Sequence, residues 1–219
     1  MADPTPQVVV RGEATLLVEP ELADVGVTVR VRARDRQTAL ERCSARQDEV
    51  TAAVTAAGDA VEVVETTGMS VHLEVRDRRA PGEPVASVHT RLTVVRLDAV
   101  GDLVVALGRL DDVDVSGPHW RLRPESEAAE RARLGAVGDA VRRARQYAAA
   151  FGSELTELLQ VSDVGLSGGG LRVAGALSTM ALSESGEPHF DLAPVRQEVH
   201  GAVEVRFAMS PPDQEVFRA

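Results

Sequence analysis

The sequence predicts an α+β fold in which valine-rich antiparallel strands bury one side beneath two long helices. Three observations carry that prediction. Apolar and polar residues alternate around residues 8–31, 61–94 and 199–209, the period of half-buried strands. Apolar residues recur at three- and four-residue steps over residues 35–57 and 124–151, the period of helices. Glycine or proline stands near the boundaries: Pro20, Gly58, Pro124 and Gly152.

The first strand covers residues 8–18 and Pro20 marks a turn. Val25, Val27, Val29 and Val31 then alternate with Gly26, Thr28, Arg30 and Arg32 in a second strand. Their short connection predicts that these two strands pair antiparallel with each other. A helix follows over residues 35–57, with Leu40, Cys43, Val50, Val54 and Ala57 on its apolar stripe, and Gly58 ends it in a left-handed conformation. A second β region begins at Val61. In it Met69, Val71, Leu73 and Val75 point one way while Ser70, His72 and Glu74 point the other. Residues 77–84, with Pro81, Gly82 and Pro84, form a solvated loop. Val88, Leu92 and Val94 resume the alternation and close a hairpin.

A short helix over residues 98–110 and a strand over 113–122, holding Trp120, come next. The longest element opens at Pro124, where a missing amide hydrogen costs nothing, and runs to Phe151 before Gly152 closes it. At 1.5 Å per residue it is roughly 40 Å long. Glu125, Glu127 and Glu130 near its start and Arg142, Arg143 and Arg145 toward its end oppose the helix dipole. Val137, Val141, Ala144, Ala148 and Phe151 form its expected buried stripe, whose small residues let the helix lie close on a sheet. A strand over 155–164 precedes a stretch containing SGGG and LSESGEP that is too weakly periodic to assign. Order returns at 199–209, where Val203, Val205 and Phe207 alternate with Glu204 and Arg206, and the tail PPDQEVFRA is expected to fray. The predicted organisation is an N-terminal tail over 1–7, one domain over 8–210 containing a flexible or oligomer-contacting loop over 165–198, and a C-terminal tail over 211–219.

A chain of 219 residues with 44% hydrophobic residues can bury a sizeable core. Its net charge of -10 speaks against nucleic acid and anionic membrane as partners, because phosphate binding needs a clustered basic face and none stands out. All of the formal positive charge is arginine, with no lysine, which reads as coding bias. The single cysteine, Cys43, cannot form an internal disulfide, and its place on a helical apolar stripe predicts a buried structural thiol. No stretch is apolar for long enough to cross a bilayer, and the opening MADPTPQ has neither a basic nor an apolar leader region. The expectation is a cytoplasmic chain, or a periplasmic or exported one if a signal peptide has been removed.

The opening VVVRGEATLLVEPELADVGVTVRV, the helix QTALERCSARQDEVTAAVTAAG and the following TTGMSVHLEV resemble the SIMPL-domain family, long catalogued as a domain of unknown function. AERARLGAVGDAVRRARQYAAAFGSELTELLQVSD is similar to the family's alanine-rich helix, G-x-x-L and strand, and EVHGAVEVRFAMS is similar to its closing strand. The resemblance covers residues 8–209. It implies an α+β fold, antiparallel sheet with long helices packed on it, in proteins that tend to form oligomers. It also implies bacterial relatives that are mostly exported to the periplasm or cell surface and linked to oxidative-stress tolerance, and an animal namesake that is an adaptor associated with a signalling kinase. It supplies no agreed catalytic residues. The opening of this chain departs from the bacterial majority in showing no signal peptide.

Apparent chemical motifs are weak. Gly165, Ser167 and Gly169 have the G-x-S-x-G spacing of a nucleophile elbow, but GGLRVAGALS after them has no clear helical pattern. Gly168, Gly169 and Gly170 lack the G-K-[ST] ending of a phosphate loop and read as a hinge or linker. His119, His189 and His200 have no ligand-like spacing. A hairpin that sets Val71 near Thr90 and Leu73 near Val88 would place His72 beside His89, and with Glu74 the pair could bind a metal weakly or respond to pH. An ordinary exposed pair is the simpler expectation, since zinc wants three or four fixed ligands. Asp111, Asp112 and Asp114 read as a turn.

The sequence therefore predicts a non-enzymatic, oligomeric scaffold or interaction protein, to which the resemblance adds a link to stress, with no catalytic, cofactor-binding or metal-binding residues. Its expected partners are copies of itself or another protein, with no nucleic acid and no membrane insertion. The alternatives are a serine hydrolase at Ser167 and a weak metal- or small-molecule-binding module around His72 and His89.

Overall fold

The first and last strands of the chain lie side by side. A computed structural model describes residues 5–75, 82–163, 190 and 192–218. In it β1 (Gln7–Val18) pairs antiparallel with β7 (Gln197–Met209), setting Val10 opposite Val205 and Gly12 opposite Val203. Strand β6 (Leu155–Asp163) takes the other side of β7, so the sheet order is β1-β7-β6. Helix α3 (Glu127–Ala150) packs on this sheet, chiefly over β1 and β7, and these elements form one of two compact units.

Alanine governs how α3 is seated. Ala128, Ala132, Ala136, Ala140, Ala144 and Ala148 are all buried, and their four-residue step keeps them on one helix face. Beneath them stand two glycines. A Cβ on Gly12 would lie 2.1 Å from the Ala136 carbonyl oxygen, and one on Gly201 would lie 2.4 Å from that of Ala132. Helix backbone thus meets sheet backbone, and only methyl groups fit between them, while Val10, Val203, Val205 and Phe207 supply the bulk around the contact. This corrects the expected stripe. Ala144 and Ala148 are on it, but Val137 and Phe151 are exposed, because the larger side chains are turned off the close contact.

The second unit is a four-stranded antiparallel sheet of order β3-β4-β2-β5. Its strands are β2 (Leu22–Arg32), β3 (Val61–Glu74), β4 (Glu83–Val94) and β5 (Val113–Arg121). Helices α1 (Arg36–Ala56) and α2 (Val100–Gly108) cover one face, and Val25, Val27, Val29 and Val31 meet Leu92, Cys43, Val50, Leu103 and Leu107 in the core beneath them. The expected pairing of the first two strands is not what forms. Strand β1 pairs with β7, and both sides of β2 are taken by β4 and β5. The link around Pro20 lacks the Asn-Gly or Gly-led turn of a tight hairpin. The valine row of β2 instead finds Leu92 and Val88 directly opposite Val25 and Val29.

Local signals set the helix ends. Asp35 caps α1 by accepting the Thr38 amide at 2.8 Å, and Gly58 and Gly152, with φ of +59° and +64°, follow α1 and α3 as the sequence predicts. Helix α3 starts at Glu127 rather than at Pro124, because the Ser126 hydroxyl accepts the Ala128 amide and caps the helix there. The described C-terminal residues carry local structure. Gln214–Arg218 form a 3-10 helix, the Asp213 amide donates to the Phe151 carbonyl at 2.9 Å, and Phe217 stacks on Phe151 with ring centroids 6.2 Å apart. Most of the loop expected over 165–198 lies outside the described residues. Among those described, no helix is long and apolar enough to cross a membrane.

Candidate functional site

Strand β3 forms an edge that its helices leave open. Helix α1 packs chiefly on β4 and β2, and α2 packs on β5. On the helix-facing side of β3, register sets Val64 opposite Leu92, Met69 opposite Val88 and Leu73 opposite Pro84. Val71 on the same side still touches the core, but Met69 is 61% exposed, Leu73 54% and Val64 56%. A row of large apolar side chains therefore continues the core face outward, with nothing over it among the described residues. Such rows mark interaction surfaces when they are contiguous.

Ion pairs hold this exposed strand at both ends. At one end the two terminal guanidinium nitrogens of Arg123 donate to the Glu62 carboxylate, at 2.9 and 3.2 Å. At the other, Arg30 donates to Glu74 at 2.6 Å, and Arg32 pairs with the same carboxylate while reaching Glu83 at 3.4 Å. Between them Ser70 and Ser87 hydroxyls bond across to β4 at 3.0 Å. The bidentate and doubled contacts fix backbone that burial alone would leave loose. Sequence reasoning missed Arg30, Arg32 and Arg123 in this role. The only signal was their opposite charge to Glu74 and Glu62, far away in the chain.

The histidine pair expected in the β3–β4 hairpin does not form. His72 stands opposite Val85 and His89 opposite Gly68, four residues out of the predicted register. The hairpin closes between Glu74 and Glu83, so Pro84 belongs to β4 and the turn is centred earlier than its prolines suggest. A shift by four keeps every side chain on its face, so the alternation pattern could not expose the error. His89 is instead bonded to the Thr28 hydroxyl, at 3.0 Å.

The order of elements now spans the chain from the first strand to the last, and the sequence model of SIMPL, a protein of unknown function (DUF541), matches residues 8–207. The chain belongs to the SIMPL family. A comparison with curated proteins gives no match.

In this SIMPL protein the remaining sequence motifs that are described lie on separate strands and turns. Ser167 with Gly165, Gly168, Gly169 and Gly170, and His189, lie outside the described residues. His119 stands opposite Asp24 on β5, and His200 lies 3.3 Å from the Thr15 hydroxyl on the other sheet. Asp112, with φ of +59°, makes the turn before β5, and its carbonyl accepts the Arg30 amide at 2.8 Å. Cys43 is buried in the core under α1, and loss of solvent, aided by the negative charge of Asp112, pushes its thiol pKa up. Among the described residues no three His, Cys, Asp or Glu side chains are grouped to hold a metal ion.

Proposed function

We propose that this SIMPL protein works without catalysis, as a self-assembling interaction protein whose contact is the open edge of β3. One observation carries the reading: Val64, Met69 and Leu73 form an apolar row left uncovered among the described residues, on a strand pinned at both ends. An edge of 14 residues is a template for further pairing, which monomers blunt with lysine, proline, bulges or a covering element; β3 has register shifts at Val61/Val63 and Thr66/Gly68 but stays extended on either side of them. Strand β3 contains neither lysine nor proline, and two of its three carboxylates are already held by arginines.

A second copy of the chain suits this edge. Antiparallel pairing about a two-fold axis, with Leu73 opposite the partner's Val64, puts His72 opposite the partner's Glu65 and Glu74 opposite the partner's Val63. No carboxylate then faces another. Because β3 is already fixed in extended form, little ordering cost remains to be met on association.

Light scattering on the purified chain tests the reading. The expected mass is a multiple of the 23.3 kDa chain, and a Met69→Glu, Leu73→Glu double variant with unchanged circular dichroism is expected to run as a single chain. A wild-type protein that stays monomeric at high concentration would overturn the proposal, as would a double variant that assembles normally.

A further inference from the structure

The other sheet leaves a second feature beside its own edge strand. Helix α3 sits over β1 and β7, so a groove of about 500 Å³ runs between its flank and β6. That volume lies within the usual range for small-ligand sites. The walls are apolar: Val141, Ala148 and Ala149 from α3, Leu155 and Leu158 from β6, and Phe207, which stands opposite Leu158 on the helix-facing side of the sheet.

Two polar groups in the groove lack a partner. Ser153 is only 5% exposed, yet its hydroxyl makes no hydrogen bond among the described residues, an arrangement that proteins ordinarily avoid. Arg145 also lines the groove. Its neighbours Arg142 and Arg143 both pair with Asp139, whereas Arg145 has no ion pair among the described residues. Two carboxylates are nearby. Glu157 pairs with Ala208, on the far face of the sheet from Phe207, so it offers the groove its backbone. Glu154 adjoins Ser153 and repels an anion from that end.

We infer that this groove binds a small amphiphilic carboxylate: an anionic group on Arg145, an aliphatic or aromatic body against Leu155, Leu158 and Phe207, and a neutral oxygen at the Ser153 hydroxyl. Ser153 follows the end of α3, where its amide turns back to donate to the Ala148 carbonyl at 2.8 Å, three positions on from Arg145. The ligand therefore carries its anionic group and its neutral oxygen on one apolar body. Neither anchor belongs to β3.

Calorimetric titration of the whole chain with ω-hydroxydecanoate, decanoate and decanediol tests the site. ω-Hydroxydecanoate is expected to bind saturably at one site per chain. Arg145→Gln is expected to weaken both carboxylates about tenfold and leave decanediol unchanged. Ser153→Ala is expected to weaken ω-hydroxydecanoate and decanediol but not decanoate. Leu158→Arg and, separately, Ala149→Leu, which fills the groove from the helix side, are expected to abolish binding of all three. The Met69→Glu, Leu73→Glu variant is expected to bind as the wild type does. No saturable heat with any probe would overturn the inference, as would binding that survives both Leu158→Arg and Ala149→Leu.

Discussion

Gly12 on β1 lies directly beneath Ala136 on α3, so near that a methyl group built on the glycine would fall 2.1 Å from the alanine's carbonyl oxygen. Sheet and helix are in backbone contact there, and the helix cannot give way locally without lifting the whole alanine row.

Gly12→Ala is therefore expected to destabilise the protein by at least about 1–3 kcal/mol, the cost of overpacking a filled contact. Gly138→Ala on the same helix is the counterpart. Gly138 is exposed with open space around its Cβ position, so alanine there is expected to stabilise by about 0.5–1 kcal/mol through helix propensity. Urea denaturation of the two variants checks the opposite signs.

Acid is expected to loosen the start of α1. Hydrogen bonds from the Thr38 backbone amide and then its hydroxyl hold the Asp35 carboxyl below its usual pKa. A depressed carboxylate contributes its stability above the unfolded pKa and loses it as pH falls through the folded one. The loss is expected below about pH 4. The Thr38 amide resonance, followed by NMR during acid titration, is expected to report it, and Asp35→Asn is expected to remove the titration while keeping the cap.

Cys43 is expected to resist thiol reagents in the native state and react on unfolding. Burial, the larger cause, and the charge of Asp112 both raise its pKa, so the reactive thiolate is scarce at neutral pH. Ellman's reagent in buffer and in denaturant measures the contrast. Fast native labelling would mean that α1 opens readily from the sheet.

Zinc is expected to leave His72 and His89 without a shared response. Their backbone partners are Val85 and Gly68, and Thr28 already occupies Nδ1 of His89. Histidine NMR during a zinc titration checks this, and matched shifts at both rings would contradict the register.

Period and punctuation made much of the fold legible. Val25 to Val31 alternate as a strand because one face of β2 is buried, and Gly58 and Gly152 end their helices because each adopts positive φ. Partner choice was not legible, since nothing within the span of β1 says that β7, almost 200 positions later, will supply its neighbour. The alanine row was visible but misassigned at Val137 and Phe151, because the deciding residues, Gly12 and Gly201, lie on other elements. The site was least legible of all. Met69 and Leu73 read as core by alternation, and only the reach of α1 leaves them uncovered.

The pairing of β1 with β7 sets a timetable for the newborn chain. Gln7 to Val18 leave the ribosome long before their hydrogen-bonding partners, Gln197 to Ala208. At synthesis rates of ~5–20 residues per second the wait is on the order of ten seconds or more. The other sheet is complete once Arg121 has emerged, so it can close while β1 is still a bare amphipathic ribbon. A chaperone that shields short valine-rich segments would act on this protein during that interval, and interrupting synthesis before Gln197 would strand β1 with no native neighbour.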